Sequence, residues 1–147
     1  MISQGLKNKY EAFRNASIKF QDVALLAMRL VLAYGFFHPA VMKVKNINGV
    51  IAWFASLGMP LPALNAYLAT AAEILGVILL TIGLGVRVFT LPLIIVMIVA
   101  IVTVHWSNGF ESGNNGFEIP LYYIIMLFLL HTHGSGKYSA DALLRKK

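Results

Sequence analysis

The chain has 147 residues, 59% of them hydrophobic and only 12% charged, with 12 Lys and Arg against 6 Asp and Glu. Soluble domains are about 25% charged, so this composition excludes an ordinary water-exposed fold and points to lipid as the solvent of a single all-α domain. The absence of cysteine excludes disulfide exchange, thiolate metal sites and cysteine nucleophiles carried by this chain.

Residues 1–21 are polar but carry Tyr10, Phe13, Ile18 and Phe20, which predicts an amphipathic lead-in helix at the membrane surface. Lys7, Lys9, Arg14 and Lys19 precede a long apolar span without a small-residue cleavage site, so this segment does not read as a cleavable signal. The first span is expected from Val23 to Met42, interrupted by Arg29 and His38. About 20 residues at 1.5 Å rise cover the roughly 30 Å hydrocarbon core.

Residues 43–62 are too mixed to span. Val50, Ile51, Trp53, Phe54 and Leu57 share a helical face, which predicts a short interfacial helix anchored by Trp53 and ended by Pro60 and Pro62. The second span, Ala63 to Leu84, carries one charge, Glu73, and a turn at Gly83, Gly85 and Arg87 leads into the third, Val88 to Val104. Pro92 falls in the first turns of that third span, and His105 and Trp106 mark its far end. Residues 107–116 have turn chemistry. The fourth span runs from Phe117 to Leu130 and extends to His131 at the interface. The expected organisation is therefore a lead-in over 1–21, a bundle of four transmembrane helices over 22–133, and a polar basic tail over 134–147.

Basic residues set the orientation. The two termini and the Arg87 turn hold Lys7, Lys9, Arg14, Lys19, Arg87, Lys137, Arg145, Lys146 and Lys147, whereas the opposite loops hold only Lys43 and Lys45. The positive-inside rule predicts both termini in the cytoplasm of a bacterial inner membrane. The net charge of +6 thus reads as topology and headgroup contact. It does not read as nucleic-acid binding, since no basic face or reading module is present.

Charge inside the spans is the most informative chemical signal. Arg29 lies about 10 Å from the inner edge of its helix and Glu73 near the middle of the next, so their depths permit an ion pair. Such a pair is either a structural bridge or the floor of a polar cavity. A second group gathers at the outer surface: His38, Met42 and Lys43, then His105 and Trp106, then Glu118. Histidine and carboxylate there suit proton transfer or a quinone carbonyl, and with a thioether they suit copper, which makes His38, Met42 and His105 the metal candidates. The bland alternative is polar capping of helix ends. His131 and His133 are two apart and point in different directions on a helix, which disfavours joint ligation. The methionines are dispersed and read as packing, and Gly76 and Gly83 as sites of close helix approach. Catalytic triads, phosphate loops, and haem or flavin motifs are missing.

Six segments in order carry a resemblance. They are M-R-L-V-L-A-Y-G-F-F-H-P at 28–39, W-F-A-S-L-G-M-P at 53–60 and A-E-I-L-G-V-I-L-L-T-I-G-L-G-V-R at 72–87. T-V-H-W-S-N-G-F at 103–110, N-G-F-E-I-P-L-Y-Y at 115–123 and G-S-G-K-Y-S-A-D at 134–141 complete the set. This order resembles the DoxX family of four-helix bacterial membrane proteins over roughly residues 22–141. The resemblance implies a redox-associated membrane subunit, similar to the DoxD subunit of thiosulfate:quinone oxidoreductases and to proteins linked to maturation of redox or copper-related partners. Arg29, Glu73, Arg87, His105, Asn108, Glu118 and Tyr138 fall where the family pattern carries polar residues. Many relatives have Gly after the histidine of the first helix where this chain has Pro39, so no role passes to His38 directly.

The reading that follows is a membrane component of a quinone-linked redox system. Arg29, Glu73, His105 and Glu118 would form its polar pocket, with His38, Trp106 and Asn108 at a quinone mouth. Its partners would be lipid and a protein of a redox or maturation complex, and self-association stays open. The alternatives are a non-enzymatic assembly or partner-binding protein, a copper-handling protein or a small transporter. A transporter is disfavoured because no inverted repeat of broken helices is visible.

Overall fold

A computed structural model describes residues 4–145. Four helices form the bundle: α2 (Gln21–Lys45), α4 (Pro62–Ile82), α5 (Val86–Ala100) and α6 (Glu118–His133). Before them runs α1 (Gln4–Lys19), between the first two lies α3 (Ile47–Ser56), and α7 (Ala140–Leu144) closes the chain. Among the described residues there is no strand. The helical stretches Gln4–Lys45, Pro62–Ile82 and Val86–Asn108 are long and apolar enough to cross a membrane. At 16 residues, α6 is about 24 Å long. Lys146 and Lys147, counted above for orientation, lie outside the described residues.

Each bundle helix buries one stripe. On α2 it is Leu25, Arg29, Leu32 and Phe36, and on α4 it is Ala66, Thr70, Glu73, Gly76 and Leu80. Leu93 of α5 and Leu127 and Leu130 of α6 complete the core. The remaining faces are also apolar but exposed, for example Leu68, Ile78, Ile95 and Phe128. A helix apolar all round, burying only one stripe in protein, is the signature of a lipid-facing span.

The helix ends follow local chemistry. Pro62 sits in the first turn of α4, where its missing N–H costs nothing. Gly83 ends that helix in the left-handed region at φ 72°, and its N–H donates to the Leu79 carbonyl at 2.8 Å. Phe20 separates α1 from α2 with a tight turn, its N–H reaching only back to the Ser17 carbonyl. None of the side chains of α1 is buried.

Two features depart from the sequence expectation. The third span does not end as an α-helix. Ile101–His105 forms a π-helical turn, followed by a short 3-10 turn over Trp106–Asn108. The C-terminal segment is not simply a polar basic extension either. Ser135 and Ser139 are buried, and the Asp141 carboxylate accepts from the Gly85 N–H at 2.8 Å and the Ser135 hydroxyl at 3.1 Å. The Asp22 carboxylate accepts the Lys137 N–H at 2.8 Å, so the segment closes the end of the bundle where α1 meets α2.

Candidate functional site: a cleft with a buried ion pair

The polar groups expected to share one pocket are divided between three places. At the end closed by the C-terminal segment lies Arg29, fully buried. Its guanidinium donates to the Leu80 carbonyl at 3.1 Å and to the Tyr138 carbonyl. Arg29 therefore ties α2 to the end of α4 and to the C-terminal segment; it does not pair with Glu73. The expected Arg29–Glu73 bridge is corrected by the identity of the nearer partner. Glu73 is 2% exposed and receives Lys43, whose ammonium lies 2.8 Å from both carboxylate oxygens. Lys43 stands near the end of α2, and its long stem carries the charge back into the bundle. From the sequence Lys43 belonged to the outer loop. The available signal was that Phe36, Pro39 and Lys43 recur at helical spacing on the face that meets α4.

Around this pair opens a cavity of about 740 Å³. Gly35, Phe36, Pro39 and Lys43 of α2 line it, with Trp53 and Phe54 of α3 and Asn65, Leu68, Ala69, Ala72 and Glu73 of α4. One face of α5, from Val88 to Ala100, forms another wall, and Tyr123 comes from α6. Leu68, Leu91 and Ile95 are among the lining residues and are exposed, so the cavity is a cleft open at the apolar surface of the bundle. Leu93 of α5 packs onto α4 where Gly76 lacks a side chain: a Cβ there would lie 2.7 Å from a Leu93 methyl.

The π turn completes the cleft. Thr103, Val104 and His105 of this turn all line the cavity. Such turns are frequent at functional sites. His105 is fixed by its Nδ1, 2.8 Å from the Asn115 carbonyl. A carbonyl only accepts, so Nδ1 carries the proton, and in the tautomer this fixes Nε2 is the acceptor.

The third group is the loop between α5 and α6. Asn108 donates to the same Asn115 carbonyl at 3.2 Å, Trp106 stacks on Phe117, and Asn115 itself has φ 58°. Glu118 accepts from the Ser112 N–H and from the Tyr122 hydroxyl, both at 3.0 Å. These bonds order the loop. Of the residues named for pocket and mouth, Glu73 and His105 line the cleft, while Arg29, His38, Trp106, Asn108 and Glu118 do not. His38 and Met42 are exposed on another face of α2. Among the described residues no group of three His, Asp or Glu side chains converges as a metal cluster. His131 bonds the Arg87 carbonyl and His133 the Leu129 carbonyl, so the two rings serve different helix-end contacts.

Against this geometry the family match is decisive: the DoxX family profile covers residues 24–106, more than half of the chain, including α2, α3, α4, α5 and the π turn. The chain belongs to the DoxX family. A Haemophilus influenzae protein described as "Uncharacterized protein" is 33% identical over 132 residues, covering 84% of this chain and 85% of that one. A Bacillus subtilis protein described as "Putative oxidoreductase CatD" is 30% identical over 110 residues, covering 75% and 77%. The Escherichia coli inner membrane protein YphA is 33% identical over 78 residues, 53% of each chain. No solved structure matches. This DoxX protein is thus an all-α membrane bundle, and its cleft lies largely within the family-matched segment.

Proposed function

We propose that this DoxX protein is a membrane component of a quinone-linked redox system and that the cleft takes the quinone. The observation that carries the reading is the combination in one cleft of long apolar walls and a neutralised ion pair. An isoprenoid quinone has an apolar tail and an uncharged, carbonyl-bearing ring, and it reaches its sites through the bilayer. A cavity of about 740 Å³ open on the apolar surface suits both parts. With Lys43 paired to Glu73, the described residues that line the cleft leave no free Lys or Arg for a phosphate or carboxylate headgroup. The relative described as an oxidoreductase supports the redox part.

In this reading all four bundle helices cross the membrane and both termini face the cytoplasm. Helix α1 lies on the inner surface, its aromatic stripe in lipid and its bases at the headgroups. The electron-transfer cofactor belongs to a partner protein. A quinone reduced there takes two electrons from that partner and two protons drawn from water, passed on by the Lys43 ammonium beside Glu73 and by His105 once its Nε2 has taken up a proton.

The test is binding by the full-length protein in nanodiscs. Decylubiquinone is expected to bind with one equivalent per chain, and filling the cleft by Ala72→Phe is expected to weaken it at least tenfold. Absence of binding to the wild-type protein, or unchanged binding to the filled variant, would overturn the proposal. Copurification of a cofactor-bearing partner from native membranes would extend it, whereas a cofactor-free client would favour an assembly role.

A further inference from the structure

We infer that the Tyr123 hydroxyl is the hydrogen-bond donor that holds the polar head of the cleft's ligand, and that Gly35 exists to seat it. The inference rests on the quinone reading and names the contact that reading lacks.

Tyr123 lines the cleft from α6, and its ring meets Phe36 edge to face with centroids 5.4 Å apart. Its oxygen lies against α2 at a mid-helix glycine. A Cβ on Gly35 would stand 1.9 Å from that oxygen and 2.6 Å from the ring carbon bearing it. Any side chain at position 35 would push the phenol out of place. A glycine inside a helix costs backbone entropy, about 0.5–1 kcal/mol relative to alanine, so the notch has to return something.

The hydroxyl makes no hydrogen bond among the described residues, and it is not one of the fully buried unpartnered atoms, so it keeps some open surface. Phenylalanine would pack the same ring without introducing an unpaired polar group into an apolar wall. Several neighbouring polar groups of the cleft are engaged: Thr103 with the Val99 carbonyl, Asn65 with the Pro60 carbonyl, and Lys43 with Glu73. Tyr123 is a donor directed by packing and free for a ligand. A phenol donor beside an aromatic edge recognises a carbonyl on a flat ring.

The experiment uses full-length protein and two probes, decylubiquinone and its carbonyl-free counterpart decylbenzene, titrated calorimetrically. Tyr123→Phe is expected to weaken decylubiquinone about five- to thirty-fold, the loss of one hydrogen bond to a buried acceptor, and to leave decylbenzene unchanged. Gly35→Ala is expected to do the same by displacing the phenol. The infrared carbonyl stretch of bound decylubiquinone should lie at lower frequency in the wild-type protein than in Tyr123→Phe. Equal weakening of both probes would mean that Tyr123 only shapes the wall, and unchanged decylubiquinone binding would mean that the hydroxyl is not used; either overturns this inference and leaves the cleft standing. Failure of decylubiquinone to bind the wild-type protein at all would overturn both readings together.

Discussion

The pairing of Lys43 with Glu73 shows how little a single residue's depth determines inside a membrane. Arg29 and Glu73 have compatible depths, yet Arg29 is consumed by two main-chain carbonyls and Glu73 by a lysine that reaches inward along its own stem. Two charges inside a bundle each take the donor or acceptor that geometry brings first, and a helix-end carbonyl competes well with a carboxylate about two turns further along the same helix. The pair should then behave as a coupled unit. Glu73→Leu leaves an uncompensated ammonium and is expected to destabilise the bundle by about 3–5 kcal/mol. Adding Lys43→Met to it should recover most of that loss. A denaturation titration of the single and double variants checks this, and additive losses would show that the pair is not coupled.

At the scale of elements, the spans were legible because lipid-facing helices must be apolar over about 20 residues. Helices α2 and α4 stand within a few residues of the expected limits, with Pro62 and Gly83 where end chemistry puts them. The π turn at 101–105 was not legible, because nothing in I-V-T-V-H distinguishes a π from an α register locally. It follows from the docking of His105 and Asn108 on the Asn115 carbonyl across the loop. Helix α1 is the reverse case: its pattern is clear and its surroundings add little. Leu6, Tyr10 and Phe13 recur on one face, all exposed, flanked by Lys7, Lys9 and Arg14. The absence of cysteine makes single-label measurements direct. In vesicles containing phosphatidylglycerol, a spin label replacing Phe13 is expected to be accessible to oxygen, and one replacing Asn15 to a water-soluble nickel chelate. Equal aqueous exposure of both would remove the interfacial reading.

At the scale of the whole molecule, the bundle is closed at one end by its own C-terminal segment and at the other by the loop between α5 and α6. The first closure depends on Arg29, Asp22 and Asp141, three side chains that reach main-chain groups far away in sequence. Arg29→Ala removes two charge-assisted bonds and is expected to cost about 3 kcal/mol or more. Trypsin should then cut after Lys137 at least tenfold faster than in the wild-type protein. Unchanged cleavage would show that the segment is held without Arg29. Composition and periodicity alone determined that the chain is an all-α membrane protein and where its long apolar helices run, and they marked Arg29, Glu73, His105 and Glu118 as the polar exceptions. The transfer cost of polar groups into lipid acts on each residue separately and can be read along the chain. Which charge meets which, how the terminal segment docks, and that Gly35 and Tyr123 complete one cleft were decided only when four helices packed, since those contacts join residues that lie far apart in sequence.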